Sequence, residues 1–399
     1  MKVLFLTLIE INSVEERGIY QDLLRQFINN RHEVVVVSPV ERRKKQKTNL
    51  KISNNAKILQ VKTLNIQKTN ILEKGIGTLA IEYQYLNAIK KHLNDIKFDL
   101  VLYSTPPITF SKVISFIKKR DNAFAYLLLK DIFPQNAIDM KMIKKNGFLH
   151  KLFVKKEKKL YAISDVIGCM SNANVNFVLK HNPELKASKL EVNPNSIEPK
   201  FIEYSVEEKE TIRQKYNLPL DKKILIYGGN LGKPQGLDFL LETIKKNAII
   251  DVFFLIVGDG TEYLRIQKWF EVNNPINAKL FQYLPKNDYD LLLAACDIGL
   301  IFLDKNFTIP NFPSRLLSYL EMKIPVIAAT DISTDIGKVI EEANCGVWVH
   351  TGDNLAMKKA IEICLNNLQI MSESSKKLLE EKFTVNKSYK LIIEKLVNV

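Results

Sequence analysis

Short runs of β-branched residues alternate with longer amphipathic stretches along nearly the whole chain, and that alternation leaves few folds open. Strands are expected at VLFLTLI (3–9), HEVVVVSP (32–39), KILQVKTL (57–64), DLVLYSTP (99–106), NAFAYLLLK (122–130) and DVIGCMS (165–171). The series restarts at KKILIYGGN (222–230), DVFFLIVGDG (251–260), KLFQYLP (279–285), DIGLIFL (297–303), IPVIAATD (324–331) and GVWVH (346–350). Helical stretches such as IYQDLLRQFINN (19–30) and TLAIEYQYLNAIKKHLN (78–94) lie between them. Strands separated by helices make parallel sheets covered on both faces, the α/β class. Two series predict two doubly wound, Rossmann-like units. The seam falls near VNPNSIEPKFIEYSVEEKE (192–210), where Pro194 and Pro199 break the pattern and an acidic helix begins. Residues 1–200 are thus one predicted domain and 201–384 the second, and a last helix (385–399) is placed to pack back on the first. Open α/β sheets bind ligands at the carboxyl ends of their strands, so two facing units predict a cleft there.

The chain's 399 residues are too many for one ordinary core. Its four cysteines (Cys169, Cys296, Cys345, Cys364) are scattered without CxxC spacing, which argues against a zinc site or a disulfide framework and fits a reducing compartment. The opening MKVLFLTLI runs into Glu10, Glu15 and Glu16 with no small-residue cleavage site, so a buried first strand explains it better than a signal peptide. No apolar run reaches the roughly 18 to 20 residues that span a bilayer. A cytosolic or peripheral protein is expected. Net charge is +14, and it is lopsided: residues 1–200 hold 34 Lys and Arg against 18 Asp and Glu, whereas residues 201–399 hold 24 against 26. That asymmetry suits a polyanionic partner for the first half, either an anionic membrane leaflet or nucleic acid, and a merely lysine-rich composition would give the same number.

Two segments of the second half read as phosphate-binding. IYGGNLGKPQGLDFLLETIKK (226–246) is a strand, a glycine-rich loop and a helix. Gly228, Gly229 and Gly232 let backbone N–H groups approach a ligand, the helix start carries partial positive charge, and Lys233 adds a point charge. NFTIPNFPSRLLSYLEMKIPVIAATD (306–331) is a Pro- and Asn-containing loop that opens a helix at about Pro313, with Ser314 and Arg315 near its start. A guanidinium fork can take two phosphate oxygens at once. An ordinary βα turn and an amphipathic surface helix would also fit these patterns.

In the first half, LLLKDIFPQNAIDM (127–140) places Asp131 at the carboxyl end of a buried strand, where a carboxylate can orient or deprotonate a hydroxyl; it can equally cap the next turn. GFLHKLFVKKEKKLYAISD (147–165) sets Leu149, Leu152, Phe153, Leu160 and Tyr161 along one helical side, with Lys151, Lys155, Lys156, Lys158 and Lys159 over much of the rest. Together with ERRKKQK (41–47), this suggests an interfacial surface for anionic lipid, and a core-facing helix with a solvated lysine face is the alternative. Asp288-Tyr289-Asp290 has DxD spacing but opens a helix, where acids satisfy the positive helix end without a metal. The five histidines are dispersed, so no metal centre is implied.

In order and spacing these motifs resemble glycosyltransferase family 4, retaining enzymes of GT-B architecture. The matching stretches are GNLGKPQGLDFLLE (229–242), GDGTE (258–262) and NFPSRLLSYLEMKIPVIA (311–328), with Asn195-Ser196 at the position of a turn near the seam. The two carboxylates of the E-x7-E pair fall on Pro310 and Ser318, and the usual Arg and Lys of the glycine loop fall on Asn230 and Gln235. A closer likeness is to the WbuB-like branch of O-antigen and capsule glycosyltransferases, whose signature is similar to Pro313-Ser314-Arg315 and Ser318-Tyr319 and whose D-[IL]-[FW]-P segment is similar to Asp131–Pro134. The resemblance implies a UDP-sugar donor, some members using N-acetylated deoxyamino sugars such as fucosamine. It implies a lipid-linked saccharide acceptor and transfer with retention, without metal or other cofactor. It implies donor contacts from Gly18, Gly229, Asn230, Gly232, Lys233, Ser314, Arg315, Leu316, Leu317 and Ser318, with Asp131 as the catalytic carboxylate. Phe153, Lys155, Lys156, Lys158 and Lys159 would face the membrane or acceptor on the inner face of the cytoplasmic membrane, and nucleic acid is not expected. A UDP-sugar 2-epimerase of the same fold and a basic nucleic-acid-binding protein are the rival readings.

Overall fold

The structure, a computed structural model, describes residues 1–53, 55–66, 71–247 and 251–397. It divides into two units, Met1–Glu198 with the chain from Thr384 onward, and Pro199–Phe383.

The first unit is built on an eight-stranded sheet. Its strands in chain order are β1 (Lys2–Leu6), β2 (Glu33–Glu41), β3 (Asn49–Ser53), β4 (Ala56–Thr63), β5 (Leu100–Ser104), β6 (Phe124–Leu129), β7 (Val166–Cys169) and β8 (Leu190–Val192), arranged β3-β4-β2-β1-β5-β6-β7-β8. All neighbours are parallel except β3, which pairs antiparallel with β4 at the edge. Side chains alternate between faces. Leu4 and Leu6 enter one apolar core, whereas Val3 and Phe5 enter another on the opposite face. On that second face the helix Ile19–Asn29 meets the C-terminal helix Val385–Val397, whose predicted last two residues lie outside the described ones. Tyr389 packs edge-on against Phe27 at 5.0 Å and bonds His32 Nε2 at 2.9 Å, and Ser388 Oγ donates to Asn193 Oδ1 at 2.7 Å.

The second unit carries a six-stranded parallel sheet: β9 (Lys223–Asn230), β10 (Val252–Asp259), β11 (Ala278–Phe281), β12 (Ile298–Phe302), β13 (Val326–Thr330) and β14 (Gly346–His350). The spatial order is β11-β10-β9-β12-β13-β14. From β9 the chain builds outward to β10 and β11, then returns to lay β12 on the other side. This reversal makes the β9/β12 boundary the place where such sheets open to a ligand. The strands share only two register pairs, Ile298↔Leu225 and Gly299↔Ile226, before they part. The parting is filled by Tyr319. Its hydroxyl accepts from Gly228 N at 3.2 Å and lies 3.2 and 3.0 Å from the carbonyls of Ile226 and Leu300.

Candidate functional site

At the β9/β12 boundary three segments converge within the second unit. The first is the end of β9 and its loop. Gly229 has φ +120, which an L side chain rarely adopts, and both Gly229 and Asn230 are exposed. A short 3₁₀ turn follows at Lys233–Gln235, and then the helix Leu237–Lys246. The second is the end of β10, where GDG lies against that loop. A Cβ on Gly258 would come within 1.9 Å of Gly229 O, so this glycine permits close backbone contact between the strands. Leu231 N donates to Asp259 O at 2.9 Å, closing the same contact.

The third segment is the helix Arg315–Glu321 with Ser314 before it. Its guanidinium lies over the glycine loop, since a Cβ on Gly229 would sit 3.7 Å from Arg315 Nη2. Arg315 Cζ stands 4.3 Å from the Tyr227 ring centroid, a cation–π arrangement. Nη2 donates to Gln235 Oε1 at 2.5 Å, while Nη1 is buried without a hydrogen-bond partner among the described residues. Among those residues no carboxylate pairs with Arg315. Burial raises the Tyr227 phenol, and the Arg315 charge opposes that rise. A cation shielded from water with no counter-ion among the described residues is costly, and an anion arriving at Nη1 would relieve the cost.

The other predicted donor residues fall differently. Lys233 is exposed on the loop and makes no ion pair among the described residues. Gly232 is buried and accepts from Gln235 N. Ser314 is exposed beside Arg315, and Ser318 is half-buried one turn further on. Leu316 and Leu317 have buried side chains, and their N–H groups bond Pro313 O at 3.3 Å and Ser314 O at 3.1 Å. Gly18 lies in the first unit before the helix Ile19–Asn29, where its N–H donates to Asp22 Oδ1 at 3.2 Å and φ is extended. Tyr289 of the DxD-spaced triplet packs against Gly228, and its flanking acids pair with Lys215 and Lys286. Among the described residues no group of three or more His, Cys, Asp or Glu could hold a metal ion.

In the first unit Asp131 follows the end of β6. Thr105, just past β5, fixes its backbone: Thr105 Oγ1 accepts from Asp131 N at 3.3 Å and donates to Asp131 O at 3.1 Å. Asn136 Nδ2 lies 2.9 and 2.8 Å from the two carboxylate oxygens. Burial pushes the Asp131 carboxyl up to about 6, against the opposing effect of the Asn136 amide. Lys130 beside it donates to Asn193 O at 3.1 Å, and burial pushes it down to about 7.

The lysine-rich helix spans Phe148–Ile163. Phe153 requires correction as a membrane contact: it is buried, edge-on to Phe133 at 5.0 Å. Leu160 and Tyr161 are buried too. The exposed apolar side chains are Met142, Phe148 and Leu149, which sit where the buried stripe ends at the first turn and the loop before it. Lys155 and Lys159 are exposed, whereas Lys156 pairs with the buried Glu82 at 3.3 Å and Lys158 with Glu184 at 2.9 Å. Within 41–47, Arg42, Arg43 and Lys44 are each taken by a carboxylate, Glu73, Glu41 and Glu10 respectively. No helix among the described residues is long and apolar enough to cross a membrane.

Residues 208–381, most of the second unit, match the sequence profile of the family described as glycosyl transferases group 1. The chain is 21% identical over 320 residues to the glycosyltransferase WbjE of Pseudomonas aeruginosa, covering 79% of this chain and 78% of that one. Over 135 residues it is 27% identical to WcaI of Escherichia coli K12, named for colanic acid biosynthesis, covering 33% of this chain and 32% of that one. Its fold superposes on Anabaena HepE solved in complex with UDP, with a TM-score of 0.70, 14% identity and full coverage of both chains. With two parallel-sheet units of this topology, and the glycine loop and Arg315 inside the matched segment, the chain is a glycosyltransferase of GT-B fold.

Proposed function

We propose that the chain takes a sugar from a UDP-sugar and transfers it, with retention, to a lipid-linked saccharide in capsule or O-antigen synthesis. The observation that carries this reading is Arg315, a guanidinium over a bare glycine loop whose buried Nη1 has no partner, and which no carboxylate pairs, among the described residues. A diphosphate supplies the missing anion, and charge that develops on the leaving UDP would be met by Arg315, Lys233 and loop N–H groups without a metal. HepE was solved with UDP, and WcaI is named for colanic acid biosynthesis; both support the donor and product class. The Pro313-Ser314-Arg315 and Ser318-Tyr319 signature favours the WbuB-like branch of family 4, with an N-acetylated deoxyamino sugar such as fucosamine as the donor class. Ser318, one turn from Arg315, would contact donor hydroxyls where other members use a carboxylate.

Asp131 is the acceptor-side group in this reading, held by Thr105 and Asn136 in a state poised between acid and base near neutral pH. Met142, Phe148 and Leu149 with Lys155 and Lys159 would dock the protein peripherally on the anionic inner face of the cytoplasmic membrane, where a lipid-linked acceptor resides. A panel of nucleotide sugars tested by thermal shift checks the donor, because a bound donor raises apparent stability by mass action. Stabilisation by UDP-sugars and by UDP is expected. No shift with any nucleotide would overturn the reading, and conversion of UDP-sugar alone would favour the epimerase.

A further inference from the structure

Gln235 occupies the loop position where the resembled enzymes carry a lysine, and its surroundings give it a different task. The turn that holds it is fixed on three sides. Gln235 N donates to Gly232 O at 3.0 Å, and Asp304 N donates to Pro234 O at 3.0 Å. Gly236 has φ +57, and a Cβ there would lie 2.6 Å from Leu303 O, so the chain crosses the end of β12 in a conformation only glycine fits. The Gln235 side chain is buried. Its Oε1 faces two donors, Arg315 Nη2 at 2.5 Å and the Tyr227 hydroxyl at 3.3 Å. The hydroxyl has one proton, and Asn230 O lies closer at 2.9 Å, so Oε1 is left to the guanidinium.

We infer that Gln235 is a positioning residue for the donor site: its amide oxygen fixes the Arg315 guanidinium on the Tyr227 ring so that Nη1 faces the donor phosphates with its charge unspent. Each part of that task needs a neutral acceptor. A lysine at 235 accepts no hydrogen bond and would crowd a second cation against the guanidinium. A glutamate would hold the guanidinium as well as glutamine does, but its charge would cancel the one meant for the ligand. A leucine fills similar space and holds nothing. Glutamine orients without neutralising. The missing lysine of the loop is thus the condition for Arg315 to work from the neighbouring helix.

The inference rests on the proposed donor role of Arg315, and one set of variants separates the two. The measurement is UDP affinity by calorimetry for the full chain carrying Gln235→Leu, Gln235→Glu, Arg315→Ala and the Gln235→Leu/Arg315→Ala pair, each first shown to be folded by its thermal unfolding midpoint. Arg315→Ala should weaken UDP by about 10- to 100-fold, the scale of a charge-assisted contact. Gln235→Leu should weaken it by about 3- to 10-fold. Gln235→Glu should bind at least as poorly as Gln235→Leu although it keeps the hydrogen bond. The double variant should bind no worse than Arg315→Ala alone, because Gln235 acts only through that side chain. Equal losses from Gln235→Leu with and without Arg315 would overturn the inference, as would full affinity in Gln235→Leu or in Gln235→Glu. Should Gln235→Leu fail to fold, the near-isosteric Gln235→Glu decides alone. Full affinity in Arg315→Ala would instead overturn the donor reading, and this inference with it.

Discussion

The two sheets end in opposite ways. Where β9 and β12 part, the second unit leaves a cation incomplete: Arg315 is stacked and tethered, yet among the described residues Nη1 has no partner and no carboxylate offsets its charge. Where β5 and β6 end, the first unit gives its buried ionisable groups neutral hydrogen-bond partners of their own. Asn136 spans both oxygens of Asp131, and Lys130 donates to Asn193 O. An incomplete charge is suited to binding an ion of fixed charge, because the ligand relieves a cost already present in the fold. A hydrogen-bonded but unpaired carboxylate raised to about 6 is suited to moving a proton, because either form is accessible near neutrality. In the proposed reading that difference divides the work: the second unit would grip the donor, and the first unit would handle the hydroxyl.

The largest expected effect tests the first-unit half of that division. Asp131→Asn keeps the shape and removes the ionisable group, so kcat should fall by about 100-fold or more while UDP affinity stays near that of the wild type. Steady-state kinetics beside calorimetry reads both numbers. Turnover at the wild-type level would reduce Asp131 to a cap for the following turn and leave the first unit without its proton-handling role.

Arg315→Ala tests the other half and should do the reverse. Loss of the guanidinium should cost about 1.5 to 3 kcal/mol of UDP binding. Lys233→Ala, at an exposed site free to be screened by solvent, should cost less. If the two variants lose equally, the stacked and tethered geometry of Arg315 contributes nothing beyond its charge.

How far the sequence foresaw this follows from what each signal encodes. The twelve predicted strands correspond to described ones because most are apolar, β-branched runs buried in the middle of a sheet, and the edge and near-edge ones, such as β4 and β11, still carry alternating apolar residues. The missed strands are β3, whose NLKIS carries polar residues and sits antiparallel at an edge, and β8, only three residues long. Arg315 was visible because charge type and helix position are local properties. The role of Gln235 was not, since it depends on Tyr227, Leu303 and Arg315 meeting across 88 positions of chain, and the residue read there only as an absent lysine. The membrane face was misjudged for a similar reason. Periodicity places Leu149 and Phe153 on one stripe, but burial depends on what packs against each turn, and the stripe outruns the core at its first turn.

That corrected face gives a third, smaller effect. Lys155→Gln with Lys159→Gln should weaken sedimentation with anionic vesicles by about 30-fold at low salt, since each lysine near such a surface is worth about 1 kcal/mol. Lys156→Gln with Lys158→Gln should matter less, because both ammonium groups already face carboxylates. Phe148→Ser should weaken binding also where salt has removed the charge effect. If both lysine pairs release the protein equally, local pairing does not decide which charges reach the lipid. UDP affinity should be unchanged throughout, since these residues belong to the first unit.

The smallest effect is a displacement along the pH axis, and it bears most directly on the Asn136 amide that holds the Asp131 carboxyl. Asp131 must be ionised to accept a proton, so kcat should rise through about pH 6 and level off above it. The stability contribution of the same group runs the other way. Its folded-state value lies above the ordinary 3.8, so the favourable contribution is fully present below about pH 4 and is lost as pH rises through about 6. Activity and stability therefore change in opposite directions across this window, and an acid loss of activity cannot be charged to unfolding at this site. Lys130, pushed down to about 7, and Glu157, pushed up to about 7, titrate nearby in the same unit, so the wild-type profile alone does not assign the limb. Asn136→Ala assigns it. The amide favours the charged carboxylate, and its loss should move the acid limb up by about one pH unit while the plateau above pH 8 is kept. An unmoved limb in Asn136→Ala would give the titration to one of those neighbours and take the proton-handling role from Asp131.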